Sequence, residues 1–232
     1  MSGEPGARVT TVAARAALAA VCAPGSAWGA GPFRAPAPGT RARRAAVLVL
    51  FGVLDDAPAR SRRARMAPDL DVLLTRRAAT LSHHAGQVSF PGGRLEASDD
   101  GPVDAALREA VEETGLDPDG IEVLGTLPAL PVTASDHVVT PVVSWWTAPS
   151  QVAVVDRGET VAVFRAPVAD LLDPERRRTA TITVGPTTYR SPAFLVDEHV
   201  VWGFTAAVLD HLFDALGWTE PWDASRTVPA PI

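Results

Sequence analysis

The chain has 232 residues, 47% of them hydrophobic and 21% charged, with a formal net charge of −6. This is globular composition; it excludes a disordered chain, and the length buries enough surface to fold without disulfide or metal staples. The single cysteine, Cys22, excludes an intramolecular disulfide and a Cys/His zinc cluster, and it points to a reducing, cytoplasmic compartment.

Residues 1–40 are rich in Gly, Pro and Ala and read as a partly irregular N-terminal arm. One helix is predicted there, at Thr11–Val21. Val12–Val21 has features of a weak signal segment, but Glu4 precedes it and Pro24-Gly25 follow it, so a short surface or docking helix is the better reading. Arg41–Gly52 contains AAVLVLF, a continuous apolar run that predicts a buried strand. Asp55–Pro68 is a polar, Arg-rich loop, and Asp69–Thr75 is a second strand. Gln87–Phe90 is a short strand that ends at Pro91-Gly92-Gly93. A helix then starts at Pro102, a favoured first helical position, and stops at Gly115, which suits a left-handed cap.

Beyond it, Ile121–Leu127, Val138–Trp146 and Val161–Arg165 read as strands, and Ala169–Leu172 as a short helix. Ala180–Val184 and His199–Val201 read as strands that pair with one another. Thr205–Leu216 is an amphipathic helix ended by Gly217, and 219–232 is an irregular tail. Strands and helices mix without regular βαβ alternation, so the expected fold is an α/β sandwich with a mixed sheet, its main domain at 41–218.

Absences narrow the chemistry. The chain has no Lys, so it has no Walker-type phosphate lysine and no Schiff-base nucleophile. Net negative charge argues against non-specific nucleic-acid binding, and no apolar run reaches the length of a membrane span. The charge is also split. Residues 1–94 hold thirteen arginines against five acids, and residues 95–232 hold eight against twenty-two. A basic part beside an acidic part suits a metal site that receives an anionic small molecule.

The helix carries the strongest chemical signal. Val103, Ala106, Leu107, Ala110, Val111 and Thr114 form one largely apolar face. Ala105, Arg108, Glu109 and Glu112 lie opposite, with Glu113 beside them. Acids crowded near a helix C-terminus repel one another and oppose the helix dipole. A solvated acidic face is one reading of the helix alone; a bound divalent cation would reverse the repulsion. Oxygen ligands suit Mg²⁺ or Mn²⁺. The preceding glycines add a backbone carbonyl and room for a substrate to approach.

The segment Gly93–Leu116, GRLEASDDGPVDAALREAVEETGL, resembles the Nudix box, G-x5-E-x7-R-E-U-x-E-E-x-G-U with U apolar. Arg108–Leu116 matches its second half in full. Asp99 stands where the pattern has Glu, and eight residues separate it from Arg108 where the pattern has seven. This departure, with Leu73-Leu74-Thr75-Arg76-Arg77-Ala78 and Gly86 to Gly93 upstream, is similar to the coenzyme A diphosphatase branch. Ser82 stands where that branch has Arg. Arg76, Arg77 or the arginines of 60–65 would then take its place at the substrate phosphate.

The resemblance extends over Arg41–Trp218 and implies a Nudix-type α/β/α sandwich. It also implies metal-dependent hydrolysis of a diphosphate in coenzyme A, an acyl-CoA or a related nucleotide such as NADH, ADP-ribose or a nucleoside triphosphate. A non-catalytic Nudix-fold binding module is the remaining alternative. The resemblance assigns Glu109, Glu113, Glu112 and the Gly93 carbonyl to Mg²⁺ or Mn²⁺. Glu112 is a further ligand or assists the base, Glu159 is a candidate general base or second-metal ligand, and Arg108 orients a Glu through a bidentate pair. Arg76, Arg77, Gly92 and Gly93 are assigned to substrate. His83 and His84 are candidate substrate contacts, although surface histidines are the plainer reading. Trp145, Trp146 and Trp202 suit core packing better than stacking on adenine. The expected partner is a small nucleotide, with no nucleic acid and no membrane; a homodimer is left open.

Overall fold

The computed structural model describes residues 9–29, 42–53, 67, 69–80, 85–132 and 136–231. Ser82, His83, His84 and the arginines of 60–65 lie outside the described residues.

In chain order the elements are α1 (Thr11–Val21), β1 (Arg43–Val53), β2 (Leu70–Arg77), β3 (Val88–Ser89), β4 (Gly92–Arg94) and α2 (Pro102–Thr114). A 3-10 turn at Pro118–Gly120 leads to β5 (Ile121–Thr126), β6 (Leu130–Val132), β7 (His137–Trp146), β8 (Thr160–Pro167) and α3 (Val168–Leu172). The chain closes with β9 (Arg177–Val184), β10 (Thr187–Val196), β11 (His199–Val201), α4 (Gly203–Ala215) and β12 (Thr227–Pro229).

Among the described residues the larger sheet has eight strands, with β3-β2-β1-β7-β5 as its main path; β4 pairs with β1, β6 with β7 and β8 with β2. It is mixed, because β1 and β7 run parallel while the other described pairs are antiparallel. The apolar run in β1 makes sense at this central position. A strand covered on both faces has no use for alternation, and Leu48, Val49, Leu50 and Phe51 are all fully buried.

Two cores flank the sheet. One face packs Ala46, Leu48, Leu50, Leu73 and Trp146 under α2. The other packs Val49, Phe51, Val72 and Leu74 against α1, α3 and α4. The result is the expected α/β/α sandwich. The expected helix at Thr11–Val21 is α1, and its Ala14, Leu18 and Val21 enter the second core with Trp28. His211 of α4 ties to the Trp28 carbonyl at 2.6 Å.

The smaller sheet corrects two expectations. The order is β11-β10-β9-β12, so the strands at Ala180–Val184 and His199–Val201 do not pair with each other. β10 lies between them; its polar first half and Pro192 hide it from an apolar pattern. The tail read as irregular contributes β12, which pairs in parallel with β9 from Thr227↔Thr179 to Pro229↔Thr181.

Helix α2 begins with Pro102 and ends at Gly115, whose φ of 66° and ψ of 16° make the left-handed cap. The Gly115 N–H donates to the Val111 carbonyl. Its buried face is rotated from the expected one. Ala105 and Glu113 are buried with Ala106, Ala110 and Thr114, whereas Leu107 and Val111 are only partly covered. The sheet beneath admits small side chains along that line, so Glu113 is carried inward.

Among the described residues, no helix is long and apolar enough to cross a membrane.

Candidate active site

The glycine loop and α2 meet over the end of β1. β4 pairs antiparallel with β1, with Ala46 opposite Gly93 and Val47 opposite Gly92. Gly92 has a φ of 154°. A Cβ there would meet the Ala46 carbonyl and come within 2.6 Å of Val47 Cα, so only glycine fits. At Gly93 a Cβ would run into the Glu109 carboxylate. Gly92 thus lets the loop lie against β1, and Gly93 lets it lie against the acidic helix.

The three glutamates have distinct surroundings. Glu113 is 6% exposed, Glu109 18% and Glu112 58%. One Glu113 oxygen, Oε2, accepts the Gly92 N–H at 3.2 Å, and Oε1 lies 4.0 Å from Arg77 Nη1. Burial pushes the Glu113 carboxyl up to about 7, and the charges of Glu109 and Glu159 push the same way. The Gly92 N–H and Arg77 pull it down without winning. Glu109 is also raised, first by burial, then by Glu112 and Glu159, against the pull of Arg108. The structure therefore brings Glu109, Glu113 and Glu159 into one electrostatic cluster, and Glu112 points outward.

Arg108 organises the outer side, with a partner other than the expected glutamate. Its bidentate pair is with Asp99, from Nε to Oδ1 at 2.9 Å and from Nη2 to Oδ2 at 3.0 Å. Nη2 also donates to the Arg94 carbonyl at 3.1 Å. Nη1 reaches Glu112 at 3.1 Å and Glu109 at 3.2 Å. The guanidinium holds the Asp99 carboxyl below the usual carboxylate range. The shorter acid with one extra residue of spacing still closes the link between loop and helix.

Glu159 reaches the cluster through a second path. The segment after β7 docks on the end of α2, with Ala153 N–H on the Thr114 carbonyl at 2.9 Å and Val155 N–H on the Glu113 carbonyl at 3.4 Å. The following turn brings Glu159 to the end of β2, where its carbonyl accepts the Ala78 N–H at 2.8 Å. Arg77 and Arg76 part company at this point. Arg77 faces Glu113, and Arg76 takes the face of Val72 and Leu74, as strand alternation requires. Trp145 and Trp146 are buried in the core, as expected.

The donor set suits a hard divalent cation. It consists of carboxylates, with no sulfur or imidazole among the described residues of the cluster. Among the described residues no three acidic, His or Cys side chains already form a closed ligand cage. Glu109 and Glu112 are turned to Arg108, so binding would draw Glu109 away from that arginine.

Residues 59–183, more than half the chain, match the family model of the NUDIX domain. The chain belongs to the Nudix hydrolase family. Over 150 residues it is 37% identical to a Cronobacter sakazakii protein described as an uncharacterized Nudix hydrolase NudL, spanning 65% of this chain and 77% of that one. A protein of the same description from Escherichia coli is 35% identical over the same shares. Among solved structures, a MutT/nudix family protein from Enterococcus faecalis is similar at a TM-score of 0.49 and 16% identity, covering 79% of this chain and 65% of that chain.

Proposed function

We propose that this Nudix hydrolase cleaves the diphosphate of coenzyme A or an acyl-CoA, giving 4′-phosphopantetheine or its acyl form and adenosine 3′,5′-bisphosphate. The observation that supports this most is the meeting of two motifs at one carboxylate. Glu113 of the Nudix helix lies between the Gly92 N–H of the FPGG segment and Arg77 of the LLTRRA segment. Those two upstream segments carry the resemblance to the coenzyme A branch.

In this reading Glu109, Glu113, Glu112 and the Gly93 carbonyl hold Mg²⁺ or Mn²⁺, which supplies charge neutralisation at the diphosphate and a lower pKa for the attacking water. Water attacks one phosphorus, the bridging P–O bond breaks, and the bridging oxygen leaves with the other phosphate. Glu159 accepts the water proton, with Glu112 assisting. Arg77 offers its guanidinium to the diphosphate oxygens, and phosphate suits its planar donors. Arg108, anchored on Asp99, orients Glu112 from outside.

Product analysis tests the reading. Wild-type protein with coenzyme A and Mg²⁺ or Mn²⁺ should release adenosine 3′,5′-bisphosphate, and Glu113→Gln should not. Dephospho-coenzyme A should be turned over less well. Turnover of NADH or ADP-ribose without turnover of coenzyme A would overturn the substrate assignment and leave the metal helix standing.

A further inference from the structure

Strands β2 and β8 keep a constant register from Asp71↔Pro167 to Arg76↔Ala162, and then slip so that Arg77 faces Thr160. Val161 is the extra residue of this bulge and is 39% exposed. Bulges beside functional sites re-aim side chains. Here the slip sets Thr160 directly across from Arg77, on the face that looks toward Glu113.

Both facing side chains carry a buried atom with no hydrogen-bond partner among the described residues. Thr160 is 1% exposed, and its hydroxyl has no hydrogen-bond partner among the described residues. Arg77 Nε is likewise buried and unpartnered. Leaving a guanidinium N–H or a hydroxyl dry and unpaired is costly, and native interiors rarely tolerate it. Directly opposed strand residues that do not bond each other are the arrangement one bridging water satisfies.

We propose that one buried water joins Arg77 Nε–H to the Thr160 hydroxyl oxygen, and that this link aims the Arg77 guanidinium at the substrate diphosphate. The proposal deepens the function given above and rests on Arg77 meeting the diphosphate. Guanidinium nitrogens share one plane, so anchoring Nε fixes where the two terminal nitrogens point. Nη1 stops 4.0 Å short of Glu113. A freed arginine would swing onto the carboxylates of Glu113, Glu109 or Glu159 and be lost to the substrate. Thr160 is therefore a positioning residue.

The test compares wild type with Thr160→Val, Thr160→Ser and Arg77→Ala, all checked for folding by circular dichroism. The Arg77 Nε–H signal is assigned by its loss in Arg77→Ala, and its exchange with solvent is followed by NMR. Thr160→Val should speed that exchange and raise KM for coenzyme A about tenfold, the scale of a lost charged hydrogen bond, with kcat little changed. Thr160→Ser, which restores the hydroxyl, should restore both. Unchanged exchange and KM in Thr160→Val would overturn the link. A raised KM that Thr160→Ser does not rescue would overturn it in favour of simple packing. If wild type fails to hydrolyse coenzyme A, the substrate assignment falls, and the exchange measurement still decides the link.

Discussion

Two buried carboxylates sit on the same face of the large sheet, at opposite ends of β2, and burial pushes both up to about 7. Their surroundings differ. Asp71 is met by Arg165, whose Nε donates to Oδ1 at 2.7 Å and whose Nη2 lies 2.7 Å from the same oxygen. Arg165 in turn lies over the Trp146 ring, 4.8 Å from its centre, and passes across Gly52. Glu113 has one backbone N–H, an arginine 4.0 Å away, and two further acids pushing on it. A perturbed carboxyl therefore does not by itself mark a site. What separates the two is whether the counter-charge is already supplied. At Asp71 the protein supplies it; at Glu113 the counter-charge is left incomplete.

The sharpest way to break this contrast is Glu113→Gln. Activity should fall by at least about a hundredfold, since even groups that only support metal ligands cost 10- to 100-fold. The metal-free melting temperature should hold or rise, because the variant relieves repulsion from Glu109 and Glu159. Retained hydrolysis in a folded variant would end the assignment. Asp71→Ala should do the reverse. It strands Arg165 in the interior and should cost about 3–5 kcal/mol, read as a lowered denaturation midpoint. Activity per folded molecule should stay near wild type. Replacing Asp71 and Arg165 together with apolar residues should cost less than either single change.

Gly52→Ala should destabilise by about 1–3 kcal/mol. Its Cβ would come within 2.7 Å of Arg165 Nη2 and 3.1 Å of Trp146 Cβ. Chemical denaturation measures this, and an unchanged midpoint would show that Arg165 does not need the glycine.

The smallest expected effect is one of pH. The folded Asp71 carboxyl keeps its proton up to about 7, whereas the unfolded one releases it near 3.8. Across that interval the native state binds more protons, so this contribution to stability is present at low pH and lost as pH rises toward 7. Asp71→Asn should flatten the decline in thermal scans between pH 4 and 7.

Much of this was legible in the sequence. The helix Pro102–Thr114 follows from its proline start and glycine stop, and AAVLVLF in β1 follows from its unbroken apolarity. The gathering of Glu109 and Glu113 follows from i, i+4 spacing. The buried helix face was legible only in part: Ala106, Ala110 and Thr114 are buried as read, but the sheet also takes in Ala105 and Glu113 and leaves Leu107 and Val111 partly covered. The Asp99 partner of Arg108 was hidden by the altered spacing. The Asp71–Arg165 pair joins positions 94 residues apart. Its one local sign was an acid within the apolar run DLDVLLT. Thr160 carries no sequence signal, since its position depends on a slip in register.

The central pairing also governs how the chain is made. β1 finds its parallel neighbour only when β7 emerges, in a register that starts at Arg43↔His137. At about 5–20 residues synthesised per second that delay is on the order of 5–20 s. Through that interval the ribosome presents AAVLVLF without its central partner, and apolar strand surface exposed in this way is what chaperones shield from aggregation.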